Sequence, residues 1–359
     1  MMDCEGRIAR VRERLQDTEA DGLLVTELSN VRYLTGFSGT NGQVLVGSGG
    51  AVFFTDPRYE ARAGALVEGG GVVIYPTRLT DVLGERLEAA GVKRLGFEAK
   101  TMTVAQLDDL KGRLDPTELV ATTDVVENLR RFKEPAEVEL IREAVRISDE
   151  AFAWMLERLV PGASERDIAL QLEVHMREAG ADSISFEPIV GSGELSAHIH
   201  HTPSERTLVK GDLVLFDFGS KWRGYCSDLT RTVVIGPASD EQRELYDLVL
   251  AAQGRGIERA RSGESGSDVD AAARRVIEAA GHGDDFGHGL GHGVGLDIHE
   301  APRLHRISED TLAPGDVVTV EPGIYIKGRG GIRIEDIVWV RDEGSEVLGS
   351  AFKNELVEV

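Results

Sequence analysis

Cysteine is scarce in this sequence: Cys4 and Cys226 are the two among 359 residues. Two thiols cannot build a disulfide framework, and such sparing use suits a reducing compartment, so a cytoplasmic location is expected. Long apolar runs are missing as well. No stretch approaches the roughly 18 to 20 residues that span a bilayer, and the start MMDCEGRIARVRERL has charges every few residues and no apolar core, unlike a signal peptide. Basic charge also falls short, with 40 Lys and Arg against 62 Asp and Glu and a formal net charge of -22. A surface of that sign repels phosphate backbones and anionic lipid heads, so neither nucleic acid nor a membrane is expected as a partner. What remains is a globular composition, 41% hydrophobic and 28% charged, at a length that predicts two or three domains.

Short apolar runs alternate with helical patterns over residues 1 to about 125, the mark of an α/β domain. GLLV (22–25), QVLV (43–46), AVFF (51–54), VVIY (72–75) and LGF (95–97) read as strands; 59–67, 81–90 and 104–114 read as helices. Then comes LRRFKEPAEVELIREAV, where Lys133-Glu134-Pro135 interrupts the pattern and a long amphipathic helix begins, since proline is favourable in a first helical turn. A domain boundary is expected near residue 128, giving domains 1–128 and 129–359.

The second part repeats itself. Gly211-Asp212-Leu213-Val214-Leu215-Phe216-Asp217 recurs as Gly315-Asp316-Val317-Val318-Thr319-Val320-Glu321, a Gly-Asp turn, an apolar strand and an acid five residues after the Asp. Asp228 before TRTVVI matches Glu335 before IVWV. Upstream, Ser164-Glu165-Arg166-Asp167 and Ser267-Asp268-Val269-Asp270 each open a helix that closes at Ala-Gly, by capping-box and glycine-stop logic. Residues 137–236 and 241–340 therefore read as two copies of helix, helix, strand, strand, related by a pseudo-two-fold axis with a cleft between them.

Such an axis gathers Asp217, Asp228, Glu321 and Glu335. One acid at a strand end is ordinary, but four at matched positions inside apolar runs such as LVLFDFG and VVTVEPG must pair, bind metal or take up protons. The second copy adds His288, His292 and His299 among glycines that permit close backbone approach. His175, spaced with Ile168 and Leu172, reads as an ordinary helix residue. One imidazole with four carboxylates is a hard donor set suited to Mn, Co, Fe or Zn. Four carboxylates neutralise two divalent ions, and a metal pair that yields hydroxide at neutral pH and polarises a carbonyl or phosphoryl oxygen implies hydrolysis. Phosphatase and nuclease chemistry stay open on this ground alone, although the acidic surface disfavours polyanions.

At these positions the sequence resembles the dinuclear metallopeptidases of the pita-bread fold, the group of methionine aminopeptidase, prolidase, aminopeptidase P and the metal-free creatinase. LVLFDFGSKWRGYCSDLTRT, HGLGHGVGLDIHEAP, VVTVEPGIYI and GIRIED carry the resemblance, over roughly residues 128 to 350. It implies an α/β (α+β) chain, with a creatinase-like N-terminal domain and a pseudo-symmetric pita-bread catalytic domain. It implies that Asp217, Asp228, His292, Glu321 and Glu335 hold two divalent ions, Mn first with Co or Zn as alternatives, Asp228 and Glu335 bridging. Glu321 would also accept the proton of the attacking water. By the same resemblance His200 would stabilise the tetrahedral intermediate, His299 would contact the substrate carbonyl, and His288 and Arg333 would line the pocket.

The chain departs from the Arg-Ser-Ala-x-Pro-His pattern of many relatives. It has Leu195, His198 and Ile199, with another imidazole at His201, and the roles of His198 and His201 are open. NVRYLTGFSGTNG (30–42) and TDPRY (55–59) resemble the N-terminal domain of aminopeptidase P, and intact ligands set creatinase aside. The expectation is thus a cytoplasmic, homodimeric Xaa-Pro aminopeptidase acting on proline-containing peptides. Prolidase is the alternative, and a non-catalytic binding protein on this fold is a third reading.

Overall fold

The short apolar runs of the first 125 residues assemble into one six-stranded sheet. The structure is a computed structural model that describes residues 3–67, 71–115 and 117–359, so Met1 and Met2 of the N-terminal reading lie outside the described residues. One compact unit ends at Arg130, and the second runs Arg131–Val359. The first contains α1 (Cys4–Leu15), β1 (Gly22–Val25), α2 (Leu28–Thr35), β2 (Gln43–Gly47), β3 (Gly50–Thr55), α3 (Glu60–Leu66), β4 (Gly71–Ile74), α4 (Thr80–Ala90), β5 (Arg94–Glu98), α5 (Val104–Arg113), β6 (Glu118–Thr122) and α6 (Glu127–Arg130). Strand order is β4-β3-β2-β1-β5-β6, with an antiparallel β1-β2-β3 centre and parallel outer pairs.

Four of the five runs read as strands lie wholly in a strand and the fifth, 72–75, runs one residue past β4 at Tyr75, while α1, α2 and β6 are additions that the alternation does not announce. In α1 the reason is an arginine on the buried face: Arg7 sits with Val11 and Leu15, donates to Tyr33 O at 2.9 Å and lies over the Tyr33 ring. A hydrophobicity pattern reads that position as surface.

The second unit contains α7 (Pro135–Leu156), α8 (Glu165–Glu178), β7 (Ser183–Ile184), β8 (Ile189–Ser192), β9 (Leu213–Phe218), β10 (Ser220–Trp222), β11 (Tyr225–Cys226) and β12 (Leu229–Val234). It continues through α9 (Asp240–Arg259), α10 (Gly266–Ala279), β13 (Gly291–Gly293), β14 (Glu300–Leu304), β15 (Val317–Val320), β16 (Gly323–Ile326), β17 (Gly330–Arg333), β18 (Asp336–Val340), β19 (Ser345–Val347) and β20 (Val357–Glu358). Two helices followed by a paired strand set occur twice, as the internal repeat requires. Isolated bridges join Ser164 to Thr207 and Ser265 to Thr311 at corresponding places. Each half has its own apolar core, around Phe152, Leu172 and Phe216 in one and Val269, Ile277 and Val318 in the other.

One expected boundary moves. Ser265 rather than Ser267 caps α10, because its Oγ accepts from Asp268 N at 3.0 Å, as Ser164 Oγ accepts from Asp167 N at 3.1 Å. Ser267 lies inside the helix. The repeated Gly-Asp pairs have a physical cause in both copies. Gly211 and Gly315 take left-handed conformations, at φ 93 and 96, while Asp212 and Asp316 accept from the amides of Val209 and Ala313.

Among the described residues, no helix is long and apolar enough to cross a membrane.

A Cβ at position 211 meets nothing within 4 Å, so backbone conformation alone sets the cost of Gly211→Ala. Urea unfolding should show a loss of about 1 to 2 kcal/mol for Gly211→Ala. Gly254→Ala, at an open site inside α9, should gain roughly 0.5 to 1 kcal/mol.

Candidate metal centre

Strand pairing brings the acids together. Asp217 near the end of β9 is in register with Thr230 on β12, and Asp228, two residues before Thr230, shares its face. Across the repeat, Glu335 directly precedes β18, and its backbone N–H donates to Thr230 O at 3.1 Å, tying the two strand sets together. Glu321 directly follows β15, and His292 lies in β13. The glycines flanking His292 are required by close approach: a Cβ at Gly291 would stand 2.0 Å from Thr319 O, and one at Gly293 would stand 2.2 Å from Ala301 O.

Asp228, Glu335 and Arg333 are buried. One potential ligand atom from each of Asp228, His292 and Glu335 lies within 4.8 Å of the others. His292 Nε2 is 3.6 Å from Asp228 Oδ2 and 3.5 Å from Glu321 Oε1. Its Nδ1 is 3.0 Å from Gly293 O, a hydrogen bond that places the proton on Nδ1 and leaves the Nε2 lone pair facing the carboxylates. His299 stands edge-on to His292, with ring centroids 4.4 Å apart.

Burial and mutual repulsion push the carboxylic acids toward their neutral forms. Asp228 and Glu335 are raised well above the ordinary range, first by burial and then by one or more of Asp217, Glu321 and Glu335. Burial drives Glu321 up to about 8, with Arg333 opposing. The same burial holds His292 neutral by lowering it to about 4, and it lowers His299, with Arg303 and His200 adding to the effect.

Arg333 is the cation that answers these charges. Its guanidinium pairs with Asp217 Oδ2, donates to Thr230 Oγ1 at 3.1 Å and donates to Tyr325 OH at 2.8 Å. Tyr325 OH is 2.8 Å from His288 Nε2, while His288 Nδ1 is 2.8 Å from Gly289 O. Burial raises the Tyr325 phenol to about 12 and lowers His288 to about 3, so a phenolic donor faces a neutral imidazole acceptor. Asp217, Arg333, Tyr325 and His288 therefore form one continuous chain.

A single guanidinium cannot neutralise four carboxylates, and the other oxygen of Asp217 is buried with no hydrogen-bond partner. These residues fit divalent cations, which supply the missing positive charge and the missing partner.

The structure brings together Asp217, Asp228, His292, Glu321, Glu335, His299 and Arg333, and it joins His288 to them through Tyr325. His200 stands exposed on the loop after β8, within electrostatic reach of His288 and His299. His175 is stacked on Trp154 in the helical layer.

Sequence reasoning missed Thr230 and Tyr325. Thr230 Oγ1 donates to Glu335 Oε2 at 2.7 Å while accepting from Arg333. Strand alternation from Asp228 carried that signal. Tyr325 lies opposite Gly331 in the β16–β17 hairpin, a pairing that only the register reveals.

Behind the site, Asp336 faces the opposite side from Glu335. Burial would raise its acid, but Arg231 and Lys353 outweigh that and hold it ionised.

Comparison with known proteins bears on this geometry. Residues 139–342 match the model of metallopeptidase family M24, and residues 7–132 match the creatinase/prolidase N-terminal domain. An Xaa-Pro dipeptidase of Pyrococcus horikoshii is 33% identical over 344 residues, covering 95% of this chain and 96% of that protein. The structure of an Xaa-Pro dipeptidase from Bacillus anthracis superposes with a TM-score of 0.97 at 41% identity, over 99% of this chain and 100% of its own. An X-Pro aminopeptidase structure from Thermotoga maritima has a TM-score of 0.91 at 32% identity, over 97% and 100% of the two chains.

Two outcomes test the electrostatics. A raised carboxyl pKa stabilises the fold below its unfolded value and is lost as pH rises through the folded value, about 8 for Glu321. His292 and His288 act in the opposite sense below about pH 6.5. Metal-free protein should therefore lose thermal stability between about pH 6.5 and 8, and added Mn should stabilise it more at the upper end. A flat profile with no metal response would contradict the buried acid cluster. Thr230→Val, which keeps shape and removes the hydroxyl, should weaken metal binding by roughly 10-fold in calorimetric titration.

Proposed function

The chain belongs to metallopeptidase family M24, and from that premise we propose that it is an Xaa-Pro dipeptidase, hydrolysing the bond before proline in dipeptides. Sequence reading alone put the Xaa-Pro aminopeptidase first. The order is reversed because full-length relatives at 33 and 41% identity bear the dipeptidase name. The aminopeptidase stays as a second reading, supported by the similarity to the Thermotoga maritima structure. The observation that carries catalysis, and disfavours a binding protein without activity, is the intact set of Asp217, Asp228, His292, Glu321 and Glu335 around one buried space.

Those five residues would hold two divalent ions, with Mn preferred over Co or Zn. When bound, such a pair supplies a hydroxide nucleophile at neutral pH and polarises the scissile carbonyl. The chain's own residues do the rest. Glu321, as the carboxylate, takes up the proton that the attacking water releases and passes it to the leaving proline nitrogen. His200 donates toward the oxygen that becomes negative in the tetrahedral intermediate, and neutral His299 donates to the substrate carbonyl. Arg333 and His288 act together through Tyr325: Arg333 orients Asp217, and His288 faces the pocket. A cytoplasmic homodimer completes the proposal, with light scattering as the check on its size.

Metal-stripped protein should be inactive and should recover with Mn, Co or Zn. The reconstituted enzyme should cleave Xaa-Pro faster than Xaa-Pro-Yaa; the reverse preference would select the aminopeptidase. Asp228→Asn should lower kcat on the order of 100-fold or more, and full activity in that variant with metal restored would sink the two-metal reading.

A further inference from the structure

His201 is an imidazole that the metal centre leaves unused. It lies in His198-Ile199-His200-His201, where the chain departs from the pattern of the proteins it resembles. Its side chain is 11% exposed, and its Nε2 lies 2.8 Å from Oε2 of Glu165, a carboxylate with no exposure at all.

Glu165 opens α8, and both of its oxygens are filled. Oε1 accepts from the backbone N–H and the hydroxyl of Ser192, at 2.8 and 2.6 Å. Oε2 accepts from the N–H and hydroxyl of Ser204, at 3.1 and 2.7 Å, beside His201. Burial alone would raise this acid, but the donors outweigh it and hold Glu165 below the ordinary range. One buried charge at a helix start thus fixes residues before and after the loop 193–203.

The loop has a second anchor. Ser196 Oγ accepts from Gly331 N at 2.8 Å and donates to Gly193 O at 2.6 Å, which ties its first turn to the strand ending in Arg333. Between the anchors, His198 N donates to Leu195 O at 3.0 Å and His201 N donates to His198 O at 3.1 Å. His200 occupies this double turn, held from one side through Ser196 and from the other through its neighbour. The role proposed for His200 at the tetrahedral intermediate requires this turn to present it to the centre.

We propose that His201 is a positioning residue for the peptidase reaction: clamped on Glu165, it fixes the turn that aims His200 at the metal centre. A displacement of about 1 Å in an aimed donor is enough to slow a reaction strongly. The inference rests on the proposed peptidase activity for its kinetic arm only.

The test uses Mn-loaded wild type, His200→Ala, His201→Leu and the double variant, assayed on an Xaa-Pro dipeptide, with amide hydrogen exchange of residues 198–204 followed in parallel. His201→Leu should lower kcat by about 10-fold with little change in KM, and it should cost nothing further in the His200→Ala background. Its 198–204 amides should exchange at least about 10-fold faster while α8 and β9 stay protected. His201→Gln, which keeps an N–H donor, should recover most of the rate. Should His201→Leu not fold, His201→Asn, whose amide is too short to reach Glu165, serves in its place. Additive losses in the double variant, or unchanged exchange, would overturn the clamp. A wild type that cleaves no Xaa-Pro peptide would refute the proposed function, and the exchange arm would still decide the clamp.

Discussion

Four carboxylates share one buried space with a single guanidinium, and the second unit is organised around that imbalance. Like charges at this spacing in a low dielectric cannot all ionise unaided, which is why the acids of Asp228, Glu321 and Glu335 are driven upward. Divalent cations would resolve the conflict, and the donor set fits them. The structure accordingly places its cation, Arg333, on Asp217 alone and leaves the other three acids facing His292 and one another.

Holding such a cluster requires a rigid frame, and the internal repeat provides it twice. Each copy turns on a left-handed glycine followed by an aspartate that closes its own turn, then runs a buried strand to an acid. Each copy centres an apolar core, with Leu213 and Val234 of the first copy joining the core of the second, so the acids lie between two packed walls. Thr230 spans the junction: its carbonyl receives the Glu335 amide, and its hydroxyl bonds the Glu335 carboxylate. Behind the same strands, the ionised Asp336 grips Arg231 and Lys353. One strand end thus presents an acid raised by burial on one side and an acid held ionised by two cations on the other.

Groups outside the five candidate ligands extend the centre on two sides. The chain from Asp217 through Arg333 and Tyr325 to His288 links a candidate ligand to a second imidazole by direct hydrogen bonds. On the opposite flank, Glu165 gathers Ser192, His201 and Ser204 beneath the loop that carries His200. Both devices use buried polar groups in directed hydrogen bonds, which makes orientation specific in a way that apolar packing cannot.

Much of this was legible in the chain itself. The repeat, its Gly-Asp turns and the acids ending apolar runs are local patterns with a fixed period, and the five candidate ligands follow from them together with the family resemblance. Other features were illegible for a common reason. α1 buries an arginine, α10 is capped two residues before the serine that sequence logic selects, and Tyr325 and His201 draw their roles from partners 37 and 36 positions away. Sequence by itself determined the donor chemistry and the two-fold plan, because composition and spacing encode both. Only the tertiary structure decided which polar groups meet, because hydrogen bonds between distant segments depend on strand register and side-chain direction, and neither is written in any local window.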